Sequence, residues 1–193
     1  MTSNTTDSSP ERRSDRTKAA ILRATRERLA AQGYDRTTIR AVAADAGIDP
    51  SMVMRYFGNK AQLFDAALDI DLRLPDLTGI PATDLPRLIV RHFLDRWESD
   101  PGDDALLMLM RSAVTNEHAA AQMRAIFAGQ VAPALAAALG PEIAKRRAGM
   151  VSAQLLGLGL TRYLLRLPAV TALNREEVED ALTPAIRATL EVD

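Results

Sequence analysis

Pro50, Ser51, Met54, Arg55 and Tyr56 fall within one short helical repeat, and their types suit recognition rather than covalent chemistry. A guanidinium such as that of Arg55 presents paired N–H groups that match the O6 and N7 acceptors of guanine. Ser51 and Tyr56 add hydroxyls, whereas Met54 offers only apolar contact, for instance to a thymine methyl. Covalent chemistry finds little to work with. The chain has no cysteine and only two histidines, His92 and His118, neither with a partner at metal-ligand spacing. No HExxH, GxSxG or P-loop spacing occurs, and Gly157-Leu158-Gly159 lies in a helical pattern with no strand before it. No enzyme activity, cofactor or metal is expected.

Recognition residues need elements that hold them outward, and the flanking sequence supplies them. A helix is expected from Ser14 to Gln32, with Ile21, Leu22, Thr25 and Leu29 at helical spacing and Gly33 as its left-handed cap. Thr37 is expected to cap a second helix, Thr38 to Asp45. Gly47 then permits a tight turn, and Asp49-Pro50 restarts the chain as a third helix that runs to Phe57 and stops at Gly58. Two short helices joined by such a turn form a helix-turn-helix, whose second helix fits the major groove of DNA. Ile39, Val42, Ala43, Ala46, Ile48, Val53 and Phe57 form its expected core. Asn59, with Gln62 three residues on, opens a fourth helix expected to reach Leu74.

The rest of the chain reads as helical too. Aromatic residues are only 4%, and Ala and Leu, good helix formers, dominate the apolar set. No alternating run long enough for a strand stands out. Five further helices are expected, at Leu85–Ser99, Asp103–Asn116, His118–Leu139, Pro141–Leu167 and Arg175–Glu191, separated at Asp100-Pro101-Gly102, Gly140-Pro141 and Pro168 to Asn174. The fold class is all-α with about nine helices. It comprises a disordered arm over 1–13, a DNA-binding head over 14–60 and a helical body over 61–193, the proline-rich Pro75 to Pro86 marking the plainest break. Residues 1–60 carry a net charge of +4 and the remainder −5, so the head suits a polyanionic partner. Gln154, Arg162 and Arg166 interrupt the apolar Met150–Leu167 segment, which reads as a buried helix and not a membrane span. The polar Met1–Pro10 lacks a signal-peptide core, and a cytoplasmic protein is expected.

The residues Gly33-Tyr34, Thr37-Thr38, Ile39, Ala43, Ala46-Gly47-Ile48, Tyr56-Phe57, Asn59-Lys60 and Leu63-Phe64 together resemble the signature of the TetR/AcrR family of repressors. That resemblance implies phosphate contacts from Thr38 or its neighbour Thr37 and from Lys60, and base or backbone contacts from Pro50, Ser51, Met54, Arg55 and Tyr56. Met54 and Tyr56 stand where many members carry Tyr and His, so the target sequence is not transferable. Arg12, Arg13 and Arg16 read either as an arm reaching DNA or as a solvated tail.

In the body, Phe93, Trp97, Met108, Met123 and Phe127 are either plain core or the lining of an apolar ligand pocket, with His92, Arg111 and Asn116 as polar candidates. Pro133, four residues after Gly129, is expected to kink its helix and hold that cavity open. Gly149, Ala153 and Gly157 recur every four residues beside Leu156, Leu160, Tyr163 and Leu164. With Val178, Leu182, Ile186 and Leu190, they resemble the family's two-helix dimer face, or else pack within the chain. The acidic run Glu176, Glu177, Glu179 and Asp180 is read as complementing a helix dipole. The implied function is a homodimeric transcriptional repressor, released from a palindromic double-stranded operator by a small apolar effector. A ligand-independent regulator is the alternative, and an all-helical carrier or enzyme that retains the fold is another.

Overall fold

Helix caps set most of the element boundaries. The structure, a computed structural model, describes residues 10–98 and 105–190. Among these residues every regular element is helical: α1 Pro10–Arg36, α2 Ile39–Ala46, α3 Pro50–Phe57, α4 Lys60–Ala67, α5 Leu85–Glu98, α6 Ala105–Ala113, α7 Glu117–Ile126, α8 Ala132–Leu139, α9 Pro141–Gly159, α10 Pro168–Thr171 and α11 Arg175–Leu190. A π turn, Phe127–Val131, joins α7 to α8, and another, Leu160–Leu164, extends α9. Counting each helix that continues through a π turn as one gives ten, the addition over expectation being the single turn of α10. The chain divides into a unit ending at Asp69 and a unit beginning at Ile70, which puts α4 with the head and not, as expected, with the body. The expected breaks at Asp100-Pro101-Gly102, the arm over residues 1–9 and the side chain of Arg12 lie outside the described residues. Residues 10–13 are helical, so α1 starts ahead of the expected Ser14.

In the head unit, Ile21 and Ala24 of α1 pack on Val42 and Ala43 of α2, Val53 of α3 and Leu63 of α4. Ile39, Ala46, Ile48, Tyr56 and Phe57 close around them. Arg28 and Asp45 join α1 to α2 by a two-pronged ion pair, one prong being Nη2 to Oδ1 at 2.8 Å. At the other end, Arg26 Nε donates to the Ala67 carbonyl at 2.8 Å and satisfies the last turn of α4.

In the body unit, Leu85, Val90 and Leu94 of α5 share a core with Leu135, with Ala144, Ala148 and Val151 of α9, and with Val178, Ile186 and Leu190 of α11. Each fully buried Val, Leu or Ile side chain there contributes about 1.5–3 kcal/mol.

Two departures from expectation matter for function. First, α4 stops at Ala67 instead of reaching Leu74, and the chain runs on without regular structure. Residues Asp69 to Leu74 alternate polar and apolar: Asp69, Asp71 and Arg73 are exposed, Ile70 is buried, and Leu72 and Leu74 are partly buried. That is the period of a strand, not of a helix. The missing neighbouring strand is replaced by one side chain. Gln130 Nε2 donates to the Ile70 carbonyl at 2.7 Å, and Gln130 Oε1 accepts from the Leu72 N–H at 2.8 Å. His92 Nε2 lies 3.0 Å from the Leu72 carbonyl, which can only accept, so that nitrogen carries the proton. Gln130→Ala is expected to cost about 1 kcal/mol by orphaning both backbone groups, and to raise amide exchange at Leu72 selectively in hydrogen-exchange measurements.

Second, the break caused by Pro133 takes the form of a π turn. Proline offers no N–H to the Gly129 carbonyl and crowds it, and the Ala132 N–H reaches back to Phe127. Gln130 sits in that turn. Pro133→Ala is expected to regularise the helix and turn Gln130 away, so that hydrogen exchange at Leu72 rises as in Gln130→Ala; unchanged exchange would refute the link.

Candidate nucleic-acid interface

The interface is built on α3, whose opening is fixed by a cap. Asp49 has extended backbone and its carboxylate accepts from the Ser51 N–H at 2.7 Å, with Pro50 in the first turn. Hydrogen bonds from Ser51 hold the Asp49 carboxyl below the usual carboxylate range. A depressed carboxylate stabilises the fold above its unfolded pKa, near 4, and loses that contribution as pH falls through the folded value. Asparagine caps without titrating. The melting-temperature advantage of wild type over Asp49→Asn is therefore expected to shrink on acidification from about pH 5 to pH 3.

The turn before α3 depends on Gly47 in the left-handed region (φ 68°), where its N–H bonds back into α2 and the Ile48 N–H reaches the Ala43 carbonyl at 3.0 Å. Val53 is fully buried under α3, while Pro50, Ser51, Met54 and Arg55 are exposed on its opposite side. Met54 is 46% exposed, a large apolar side chain left to solvent at the centre of the candidate contact face.

Tyr56 is half-buried and packs against the head core. Hydrogen bonding with Ser14 and Arg55, with the Arg55 and Lys18 charges nearby, holds its phenol below its usual range. The Arg55 guanidinium lies 5.4 Å from the ring centroid and the Lys18 ammonium 5.8 Å. Lys18 thus joins the basic edge of α3, a neighbour that only tertiary contact reveals. Arg13 and Arg16, both exposed on α1, line a shallow hollow with Thr17, Ala20, Ala46 and Ile48.

The two threonines separate clearly. Thr38, exposed, is the N-cap of α2 and accepts from the Ala41 N–H at 3.2 Å. Thr37, expected as that cap and as a DNA contact, is completely buried and donates its hydroxyl to the Gly33 carbonyl at 2.9 Å. It serves the turn after α1 and cannot touch DNA in this conformation. Lys60, at the start of α4, donates to the Asp35 carbonyl at 3.4 Å and stands 4.6 Å above the Tyr34 ring.

The body unit holds a cavity of about 160 Å³. Phe93, Trp97, Met123 and Phe127 line it, as does His92. Met108 and Arg111 do not: Met108 is buried elsewhere in α6 and Arg111 is exposed. Asn116 caps α7, accepting from the Ala119 N–H at 3.0 Å, and also lies outside the cavity. Leu72, Leu74, Arg96 and Ser152 line it without having been expected to. The alternation over Asp69–Leu74 was the signal for the first two.

Comparison with known proteins places this arrangement. Residues 21–67 match the model of bacterial regulatory proteins of the tetR family, and residues 84–190 match the tetracyclin repressor-like C-terminal domain. The chain belongs to the TetR family. The HTH-type transcriptional repressor Rv3405c of Mycobacterium tuberculosis is 37% identical over 79 residues, so that the match covers 40% of this chain and 40% of that repressor. A TetR-family regulator from Streptomyces coelicolor A3 superposes with a TM-score of 0.66 at 29% identity, covering 91% of this chain and 95% of its own. NalD of Pseudomonas aeruginosa, the secondary repressor of the MexAB-OprM multidrug efflux pump, shares the fold with a TM-score of 0.70 at 21% identity, covering 91% and 97%.

Of the residues expected at a TetR-like dimer face, those along α9 and its π turn face outward, whereas those of α11 do not. Gly149, Ala153, Leu156 and Leu160 are exposed, Gly157 and Leu164 partly so, and Met150 beside them is 57% exposed. On α11, Val178 and Ile186 are buried in the chain's own core, and Leu182 packs against it. Helical period explains the difference: the apolar stripe of α11 meets α5 and α9, leaving Ala181, Pro184, Ala185 and Ala188 outside. The acidic run has more than one role. Glu177 and Asn174 cap α11 reciprocally, whereas Glu179 is buried among Arg87, Arg91 and Arg175.

Proposed function

We propose that this TetR-family chain is a sequence-specific DNA-binding repressor that acts as a homodimer and is released by a small apolar effector. The observation that carries the reading is α3 itself, anchored by Val53 on one side and presenting Pro50, Ser51, Met54 and Arg55 on the other. An element with that cross-section fits the major groove, Arg55 reading a guanine edge and Met54 meeting a methyl. Thr38 and Lys60 take phosphates, Thr38 at the positive end of α2. Tyr56 supports α3 from its half-buried position and directs its hydroxyl and the adjacent Arg55 toward the duplex edge. The exposed α9 face, small at Gly149 and Ala153 and apolar at Leu156 and Leu160, receives its counterpart from a second copy. Two α3 helices about 34 Å apart then read a near-palindromic operator. The cavity in the body supports a ligand-controlled regulator over a ligand-independent one.

Gel shifts on the upstream region of its own gene test the reading. Arg55→Ala is expected to erase about tenfold of the preference for one base pair, while Lys60→Ala weakens binding to all sequences alike and reduces the salt slope by about 1. Equal effects of both changes on every sequence would refute the assigned roles.

A further inference from the structure

Resting on the reading of the body cavity as an effector site, we infer that its ligand is a molecule of about one ring that presents an acceptor oxygen to the Trp97 indole N–H. The size follows from the volume. At about 160 Å³ the space is close to that of an apolar cavity of about 150 Å³ that takes up benzene. Its wall is mostly apolar, with His92, Arg96 and Ser152 the polar residues beside Trp97, so a well-placed donor weighs heavily in orientation and selectivity.

Trp97 supplies that donor. Its ring stacks on Tyr163 at 4.8 Å with the planes 2° apart, and Phe93 lies against it at 5.8 Å. The fit extends to Gly159, where even a Cβ would come within 3.3 Å of Trp97 Cζ2. So held, the indole cannot swing to find a partner, and Nε1 is buried with no acceptor among the described residues. A buried donor left unmade is costly, and a ligand oxygen removes that cost on binding. The charge of the wall narrows the class further. Among the described residues its ionisable groups are His92 and Arg96, with no carboxylate, so neutral or anionic oxygens are accommodated and ammonium groups are not.

Four probes of similar size test this on the full chain at pH 7.5 by calorimetry: ethylbenzene, acetophenone, benzoate and phenethylammonium. Acetophenone is ethylbenzene with one methylene replaced by a carbonyl, and that carbonyl loses its own hydration on entry. Without an awaiting donor, ethylbenzene binds the tighter of the two. Acetophenone is instead expected to bind at least about fivefold tighter than ethylbenzene, with phenethylammonium weakest. Trp97→Phe, which keeps the aromatic stack, is expected to abolish the preference for acetophenone. Benzoate binding tighter than acetophenone marks an acid as the preferred form, and the reverse order a neutral carbonyl. Quenching of Trp97, the chain's only tryptophan, reports each probe independently in the wild type. Ethylbenzene binding as tightly as acetophenone, or a preference unchanged in Trp97→Phe, overturns the inference while leaving the effector cavity intact. Failure of all four to bind at millimolar concentration overturns both. Should Trp97→Phe not fold, the wild-type order alone decides.

Discussion

Phe64→Ala is expected to destabilise the head by about 3–5 kcal/mol and to abolish DNA binding under conditions where the wild type binds tightly. Phe64 is the largest fully buried side chain among the described residues. Its ring contacts Tyr34 at 4.3 Å, and the Lys60 ammonium lies 5.4 Å from its centroid. One side chain therefore holds α4 against the turn that ends α1 and sets the position of the lysine proposed to meet phosphate. Truncation leaves a cavity that short helices can fill only by shifting, and α2, α3 and α4 are eight residues each, too short to persist without their packing. Urea titration followed by circular dichroism measures the loss. Phe64→Leu, which keeps most of the volume, is expected to lose less than half as much. Equal losses for the two substitutions would show that ring volume is not what supports α4.

The helix-turn-helix was legible because every local signal agrees there. Asp49 and Pro50 open α3, Gly47 turns the chain before it, and the apolar spacing from Ile39 to Phe57 matches one buried face. Adjacent threonines are a different matter. Thr37 and Thr38 are chemically identical as caps, and only the backbone entering α2 decides between them, with Thr38 extended and Thr37 folded back on Gly33. The end of α4 failed for a physical reason as well. Asp69 to Leu74 contains good helix formers, and so short an alternation does not outweigh them. No sequence rule foresees that Gln130, 58 residues beyond Leu72, supplies the missing hydrogen bonds. The cavity shows the same limit. Phe93, Trp97, Met123 and Phe127 were visible as large side chains, but Leu72 and Leu74 joined the wall only through that long-range pairing, and Met108 was lost from it because α6 turns it elsewhere. On α11 the stripe Val178, Leu182, Ile186 was read correctly as apolar, yet periodicity does not say whether such a stripe meets its own chain or another.

Glu179 carries the second large effect. Its carboxylate is only 9% exposed, and Arg175 Nε donates to it at 3.1 Å while Arg91 Nε stands at 3.7 Å and Arg87 Nε at 3.8 Å. Removing one partner of a buried pair costs about 3–5 kcal/mol when both charges are desolvated. Here the guanidiniums are 36–60% exposed and regain water readily, so Glu179→Ala is expected to cost about 2–3 kcal/mol. The consequence reaches the cavity through α5. Arg175 also binds Asp95 at 2.7 Å and stands 3.8 Å from Glu98, on the helix that carries His92, Phe93 and Trp97. Glu179 thus orients the arginine that registers α5 against α11. Glu179→Gln keeps an acceptor for Arg175 but not the charge, and is expected to fall between wild type and Glu179→Ala in urea midpoint while retaining the wild-type emission of Trp97. Glu179→Ala is expected to shift that emission, because α5 is then free to slide. An unshifted Trp97 spectrum in a protein destabilised by the full amount would confine Glu179 to a purely energetic role.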